Sequence, residues 1–218
     1  MINIESFIRE KSQERLRLGI VTCKVKVDPS PPGLLDAIAQ QCSKIENELE
    51  VDDINHIPTI QATRKFYRAL GKDPSRYRPS AESLHRRVVK GKGLYQVNNV
   101  VDCLNLVSLQ TGYSIGGYDA DKIEGEITLG AGKSNEPYQG IGRGELNIEN
   151  LPVLRDDKGA FGTPTSDSMR TSVTDSCKSF LMVFFDFGGE QSLANLLDST
   201  KELLMDFANG SEIKVSII

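Results

Sequence analysis

Residues 98–125, NNVVDCLNLVSLQTGYSIGGYDADKIEG, decide how this chain folds. Their spacing predicts a helix, a turn, a strand and a second turn. Asn98 or Asn99 can cap the helix, because an asparagine side-chain oxygen accepts a bond from an otherwise unpaired backbone N–H. Val100, Leu104 and Val107 then recur at three- and four-residue steps, and Val101 and Leu106 widen the apolar face. Gly112 stands where a helix ends in a left-handed residue. Residues 113–118 can extend as a strand, but Gly116 and Gly117 interrupt it. Paired glycines in a strand signal a bulge, or a group approaching the backbone closely. Asp119 and Asp121 close the segment with turn chemistry.

Upstream, residues 18–27 (LGIVTCKVKV) read as a first strand, ended by Asp28-Pro-Ser-Pro-Pro. Residues 33–50 read as an amphipathic helix carrying Leu34, Leu35, Ile38, Cys42, Ile45 and Leu49, with an acidic, solvated end. Downstream, residues 152–155 form a short strand and Asp156-Asp-Lys-Gly a hairpin turn. Residues 180–187 (FLMVFFDF) are too continuously apolar for an exposed strand and should be buried on both faces. Residues 191–209 read as an amphipathic helix, and 213–218 as a last strand. Strands and helices mix without regular alternation. The expected fold is α+β, one compact domain over residues 1–218, helix-rich in its N-terminal half and strand-rich in its C-terminal half, around a mixed β-sheet.

The 218 residues suffice for a sizeable core. No apolar run approaches the roughly 20 residues of a membrane-spanning helix, and MINIESFIREKSQERLRLG lacks the apolar stretch of a signal peptide. Cys23, Cys42, Cys103 and Cys177 are widely spaced, which reads as reduced thiols in a cytoplasmic protein and not as a disulfide framework or zinc site. His56 and His85 have no Cys, Ser or second His at motif spacing, so a surface or capping role is expected for each. No metal and no cofactor are expected. Gly130-Ala-Gly-Lys-Ser is not a phosphate loop, since that motif needs a glycine where Ile127 stands.

Charge is uneven. Residues 60–95 hold ten basic side chains (Arg64, Lys65, Arg68, Lys72, Arg76, Arg78, Arg86, Arg87, Lys90 and Lys92) against Asp73 and Glu82, although the whole chain carries −4. Arg64, Arg68 and Lys72 fall four residues apart, on one face if the segment is helical. Phe66, Tyr67 and Tyr77 lie between the basic residues. Such clustering suits a phosphate-binding surface, because Lys and Arg displace condensed counterions. Pairing with the acidic remainder of the chain would explain it equally well. The sequence pI of 5.4 argues against a broad, nonspecific nucleic-acid binder. Residues 162–171, Gly-Thr-Pro-Thr-Ser-Asp-Ser-Met-Arg-Thr, form the most donor-rich loop, of a composition that can line a pocket through hydroxyls and backbone N–H groups.

The first stretch, with its Tyr118-Asp-x-Asp-Lys-Ile ending, resembles the B3/B4 domain of the phenylalanyl-tRNA synthetase beta subunit. Residues 148–185 are similar to that domain's run of strand, acidic turn, Gly-containing loop, Ser/Thr segment and closing apolar strand. The resemblance is strongest over residues 80–185. It implies an α+β fold and an editing chemistry, in which a positioned water attacks the ester of a wrongly charged tRNA. Carried over by position, Gly162, Thr163, Pro164, Thr165 and Ser166 would line the amino-acid pocket, with Gly116 and Gly117 opposite and Asp119 fixing their turn. Arg64, Lys65, Arg68, Lys72, Arg76, Arg78, Arg86 and Arg87 would grip RNA. Two departures stand out. The family's turn usually reads Pro-Leu-His-(Ala/Ser)-Phe-Asp, so its histidine falls at Gly116, and residues 180–185 lack the family's acid in the closing strand. The chain also lacks room for the synthetase's remaining modules, so it looks like a free-standing relative of the editing domain. Two readings follow: a hydrolase of mischarged aminoacyl-tRNA, or a non-catalytic module holding an amino acid, a small metabolite or a tRNA 3′ end. The expected partner is tRNA or aminoacyl-tRNA, not DNA and not a membrane.

Overall fold

The computed structural model describes residues 2–188 and 192–218. In chain order the elements are β1 (Ile2–Ile4), α1 (Ser6–Lys11), β2 (Arg17–Lys24), α2 (Pro32–Glu48), α3 (Pro58–Ala69), α4 (Ser80–Val89), α5 (Asn99–Thr111), β3 (Ser114–Asp119), β4 (Ile127–Ala131), β5 (Gln139–Gly140), β6 (Gly144–Glu145), β7 (Pro152–Asp156), β8 (Gly159–Gly162), β9 (Ser179–Asp186), α6 (Leu193–Ala208) and β10 (Ser211–Ile217). The expected α+β class holds, with helices concentrated before β3 and strands after it.

The strands form two four-stranded sheets, ordered β1-β4-β7-β8 and β10-β2-β9-β3, with β5 and β6 a separate hairpin. Only the β1–β4 pair is parallel among these. Period-two alternation divides β9 between two cores. Phe180, Met182 and Phe184 join Val21, Ile38, Leu104 and Leu197 under the helices. Leu181, Val183 and Phe185 join Leu18, Tyr118, Leu129, Leu154 and Phe161 between the sheets. Seven of the eight residues of β9 are accordingly buried, the expected two-faced burial.

The central helix is built as its sequence suggests. The Asn98 side chain accepts the Val101 N–H at 2.9 Å, and Gly112 closes α5 at φ +71°. In α2, Pro32 occupies the first turn, where a missing N–H costs nothing, and Leu34, Ile38, Cys42 and Ile45 are its buried stripe. Gln191, the expected start of the last helix, lies outside the described residues; α6 is capped by Ser192 and ends at Asn209 in the left-handed region. Three expectations need correction. Ser80-Ala-Glu-Ser reads in the sequence as an N-cap signal for a helix over residues 80–90, but Ser80 does not cap α4 with its hydroxyl; it is the first helical residue, and its N–H donates instead to the Pro164 carbonyl at 2.8 Å. The helix carrying Arg64 and Arg68 ends at Ala69, and Gly71 at φ +85° turns the chain, so Lys72 leaves their face. His85 is buried, with Nδ1 against the Ala81 carbonyl at 2.8 Å, and burial pushes its pKa down; it is a core histidine and not a surface one.

Candidate functional site

The polar loop after β8 packs against the free edge of β3. Among the described residues β3 pairs only with β9, which leaves that edge without a strand partner. The Gly117 N–H donates across the gap to Asp167 Oδ2 at 3.1 Å. On the loop's other side the β5–β6 hairpin closes in. The Ile141 N–H donates to the Asp167 carbonyl at 2.9 Å, Gly140 bridges Ser168, and the Tyr138 hydroxyl donates to the Ser166 carbonyl at 2.7 Å. Asp167 is thus held between a sheet edge and a hairpin.

The residues expected to form a pocket do meet here, but with different duties. Gly116 shares a strand face with Tyr118, two residues on, and the Tyr118 phenol folds back over it. A Cβ at Gly116 or at Gly162 would collide with the Tyr118 hydroxyl. The two glycines therefore admit a tyrosine of the chain itself, from both sheets at once. Phe161 completes the clamp, edge-on at 5.0 Å between ring centroids. Gly117 points the other way: its Cβ would lie 2.6 Å from Leu104 Cδ1 and 3.2 Å from Phe180, so it makes room for α5. Neither Gly116 nor Gly117 has positive φ.

The hydroxyls of the loop are largely committed. Thr163 Oγ1 accepts the N–H groups of Thr165 and Ser166 at 3.1 and 3.0 Å and donates to the Ser166 carbonyl. Thr165 Oγ1 lies 2.9 Å from the Tyr67 hydroxyl. Thr163, Pro164 and Thr165 are buried, and Ser166 is half-buried. Asp119 accepts the Asp121 N–H at 3.3 Å and pairs with Lys122 at 3.2 Å, which fixes the turn after β3.

Asp167 and Tyr118 were not singled out by sequence. Period-two alternation already places Gly116 and Tyr118 on one face, a signal that could have found the tyrosine. Asp167 sits inside the quoted loop, yet nothing local says that its carboxylate reaches a backbone 50 positions away. The Tyr118 phenol faces the Asp167 carboxyl closely enough to hold its pKa down, although the pair does not reach full hydrogen-bond geometry. Tyr118 Oη and Asp167 Oδ1 are both buried and have no hydrogen-bond partner among the described residues. Burial pushes the Asp167 carboxyl up to about 7, with Tyr118 and the Gly117 N–H pulling the other way. Burial and the neighbouring Asp167 push the Tyr118 phenol well above its ordinary value.

The basic segment divides into an inner and an outer set. Arg64 is buried and donates to Glu82 Oε2 at 2.6 Å; Arg86 donates to Glu82 Oε1 at 2.8 Å, and Arg78 lies 3.8 Å from it. Lys72 is also buried. It donates to the Asn147 and Glu149 carbonyls at 2.9 and 2.6 Å, stands 3.7 Å over the Tyr77 ring, and has its pKa pushed down to about 8 by burial. Lys65, Arg68, Arg76 and Arg78 face solvent, while Arg87 is half-buried.

Two larger hollows lie away from Asp167. One of about 400 Å³ is bordered by Lys11, Arg15, Lys65 and Phe187. The other, about 620 Å³ and mostly aliphatic, opens between the sheets beside Ile2, Ile20, Ile127 and Ile218. Among the described residues no cluster of three or more His, Cys, Asp or Glu side chains could hold a metal ion, and no helix is long and apolar enough to cross a membrane.

Similarity to known proteins falls on this same region. The model of the B3/4 domain matches residues 62–191, from α3 to the end of β9 and beyond, and so takes in both halves of the site. The beta subunit of phenylalanine–tRNA ligase from Bifidobacterium longum is 26% identical over 129 residues, which are 57% of this chain and 14% of that protein. The corresponding subunit from Fusobacterium nucleatum is 28% identical over 118 residues, 53% of this chain and 14% of that one. The chain thus spans only a small part of the ligase subunits it resembles. Among solved structures, an N-terminal fragment of the phenylalanyl-tRNA synthetase beta-subunit from Pyrococcus horikoshii is similar, with 15% identity and a TM-score of 0.48 over 98% of this chain and 50% of that fragment. With the family match covering more than half its length, the chain belongs to the B3/4 domain family.

Proposed function

We propose that the chain binds the 3′ end of a tRNA and hydrolyses the ester of a wrongly attached amino acid, with the reaction centred on Asp167. The observation that carries this reading is the carboxylate itself. It lies against the open edge of β3, inside the region matched by the family, with one oxygen unpartnered and a pKa of about 7. A carboxyl poised near neutrality suits general-base work, because near pH 7 about half of it is ionised and ready to accept a proton, and its conjugate acid can give the proton back. In the reaction a water gives its proton to Asp167 as its oxygen bonds to the ester carbonyl carbon. The tetrahedral intermediate then collapses, the ribose oxygen leaves, and Asp167 returns the proton to it. The products are a free amino acid and uncharged tRNA. The Asp167 carboxylate would take the place left by the missing histidine and closing-strand acid.

A binding module without chemistry is the second reading. The observation favouring it is that Tyr118 fills the space over Gly116 and the threonine hydroxyls serve their own loop. Incubating a panel of mischarged tRNAs with the protein decides between them. Hydrolysis of at least one ester, lowered about 10²-fold or more in Asp167→Asn, is the expected result. Survival of every ester at stoichiometric protein, with saturable binding of the same tRNAs, would overturn catalysis and leave binding.

A further inference from the structure

At the far end of α4 a tyrosine stands out in water. Tyr95 is 64% exposed, and the Arg87 guanidinium lies 3.6 Å from its ring centroid, covering one face. Arg87 is half-buried, and its Nε has no hydrogen-bond partner among the described residues, so the guanidinium is held mainly by the ring. The segment bearing Tyr95 has no regular structure but is pinned on both sides. Leu94 packs against the core beneath the helices. The Val97 N–H donates to the Asp102 carboxylate at 3.1 Å. Before Tyr95, Gly91 and Gly93 turn the chain at φ +67° and +53°, and the Lys92 N–H donates to the Arg87 carbonyl at 3.1 Å. The ring is therefore held out by its anchors, flanked by the exposed Lys90 and Lys92. The acids around the segment are the buried Asp102 and, on α2, Glu46, which adjoins Cys42.

We propose that Tyr95, backed by Arg87, is a stacking platform for a base near the single-stranded 3′ end of an RNA. An aromatic ring with a guanidinium behind it and lysines beside it fits this occupant on two counts. Every base offers a π face regardless of sequence, and the lysines meet the adjoining phosphates. The placement fits as well. The first turn of α4 touches the site loop through Ser80 N–H and the Pro164 carbonyl, and Arg87 sits near its last turn. At 1.5 Å per residue the separation along the helix is roughly 10–15 Å, or about three to four stacked nucleotides at 3.4 Å each. An RNA whose terminal ester lies at the site loop and whose tail follows α4 would bring an upstream base toward Tyr95. This inference rests on the reading of the chain as a binder of tRNA ends.

The test uses an RNA hairpin with a four-nucleotide unpaired 3′ tail, and the same hairpin made blunt, titrated by fluorescence anisotropy at fixed salt. Wild type should prefer the tailed hairpin. Tyr95→Ala should lose about 5- to 100-fold of affinity for it, Tyr95→Phe should retain affinity, and neither change should alter binding of the blunt form. Because Tyr95 is exposed, both variants should keep the wild-type melting temperature. Tail preference in wild type with no loss in Tyr95→Ala overturns the platform and leaves the tRNA reading standing. Equal weakening toward both hairpins also overturns it. A wild type indifferent to the tail overturns the platform and the tRNA-end reading together.

Discussion

Asp167→Asn is expected to make the protein more stable at pH 8 and to leave it unchanged at pH 4. The Asp167 carboxyl sits at about 7 in the fold against an ordinary 3.8. Between those values the native state keeps a proton that the unfolded chain has released. Stability from this group is therefore fully present below about pH 4, declines as pH rises toward 7, and is flat above that. Three pH units correspond to a ceiling of about 4 kcal/mol, and half-burial with local relaxation brings the expected loss to about 2–3 kcal/mol. Asparagine keeps an acceptor for the Gly117 N–H and does not titrate, so the difference between the two proteins isolates this one group. That matters because Asp102, also raised by burial, slopes the same way in both. Urea unfolding followed by circular dichroism at half-unit steps from pH 4 to 8.5 gives the two curves. For a chain of this length the gap at pH 8 should appear as roughly 4–12 °C in melting temperature. A gap that stays constant across the range, or one that widens toward acid, would refute the buried-carboxylate reasoning.

Two further perturbations separate structural from functional duties. Gly117→Val should cost about 1–3 kcal/mol of stability or more, because its Cβ meets Leu104 Cδ1 at 2.6 Å under α5; thermal melting near wild type would show that this packing gives way easily. Arg64→Glu should destabilise by about 3–5 kcal/mol, since it leaves Glu82 buried beside a like charge, whereas Arg68→Glu should leave melting unchanged and lower the salt slope of RNA binding by about 1; equal melting temperatures for the two variants would contradict the burial of Arg64.

These cases also show what the sequence discloses. The α5–β3 unit, α2 and β9 were legible because their signals are local: an asparagine cap, a left-handed glycine, a helical stripe, an unbroken apolar run. β1 and α1 were not, because a three-residue strand in parallel register with Ile127–Leu129 exists only once β4 is in place. The charge count found a basic segment but not its division, since burial of Arg64 and Lys72 is set by Glu82 and by carbonyls of a loop about 75 residues away. The glycine pair pointed to a place of close approach. What approaches is Tyr118 on one side and Leu104 on the other, which spacing alone does not distinguish. Asp167 was not legible either, because its position depends on the loop being pressed against β3.

The position of β9 governs how the molecule comes into being. It lies between β2 and β3 and, among the described residues, supplies the only neighbour that β3 has in its sheet. Its ladder with β2 joins Arg17 to Asp186, 169 positions apart. During synthesis β2 and β3 are both made long before the strand that unites them, and their apolar residues wait without a ladder. Pairing across such separations closes a large loop before any contact rewards it, so folding of this sheet is slow compared with folding of its helices. The half-made chain exposes unpaired strand edges over that interval, the condition under which growing chains associate wrongly. The last quarter of the sequence thus decides when the rest acquires its sheet.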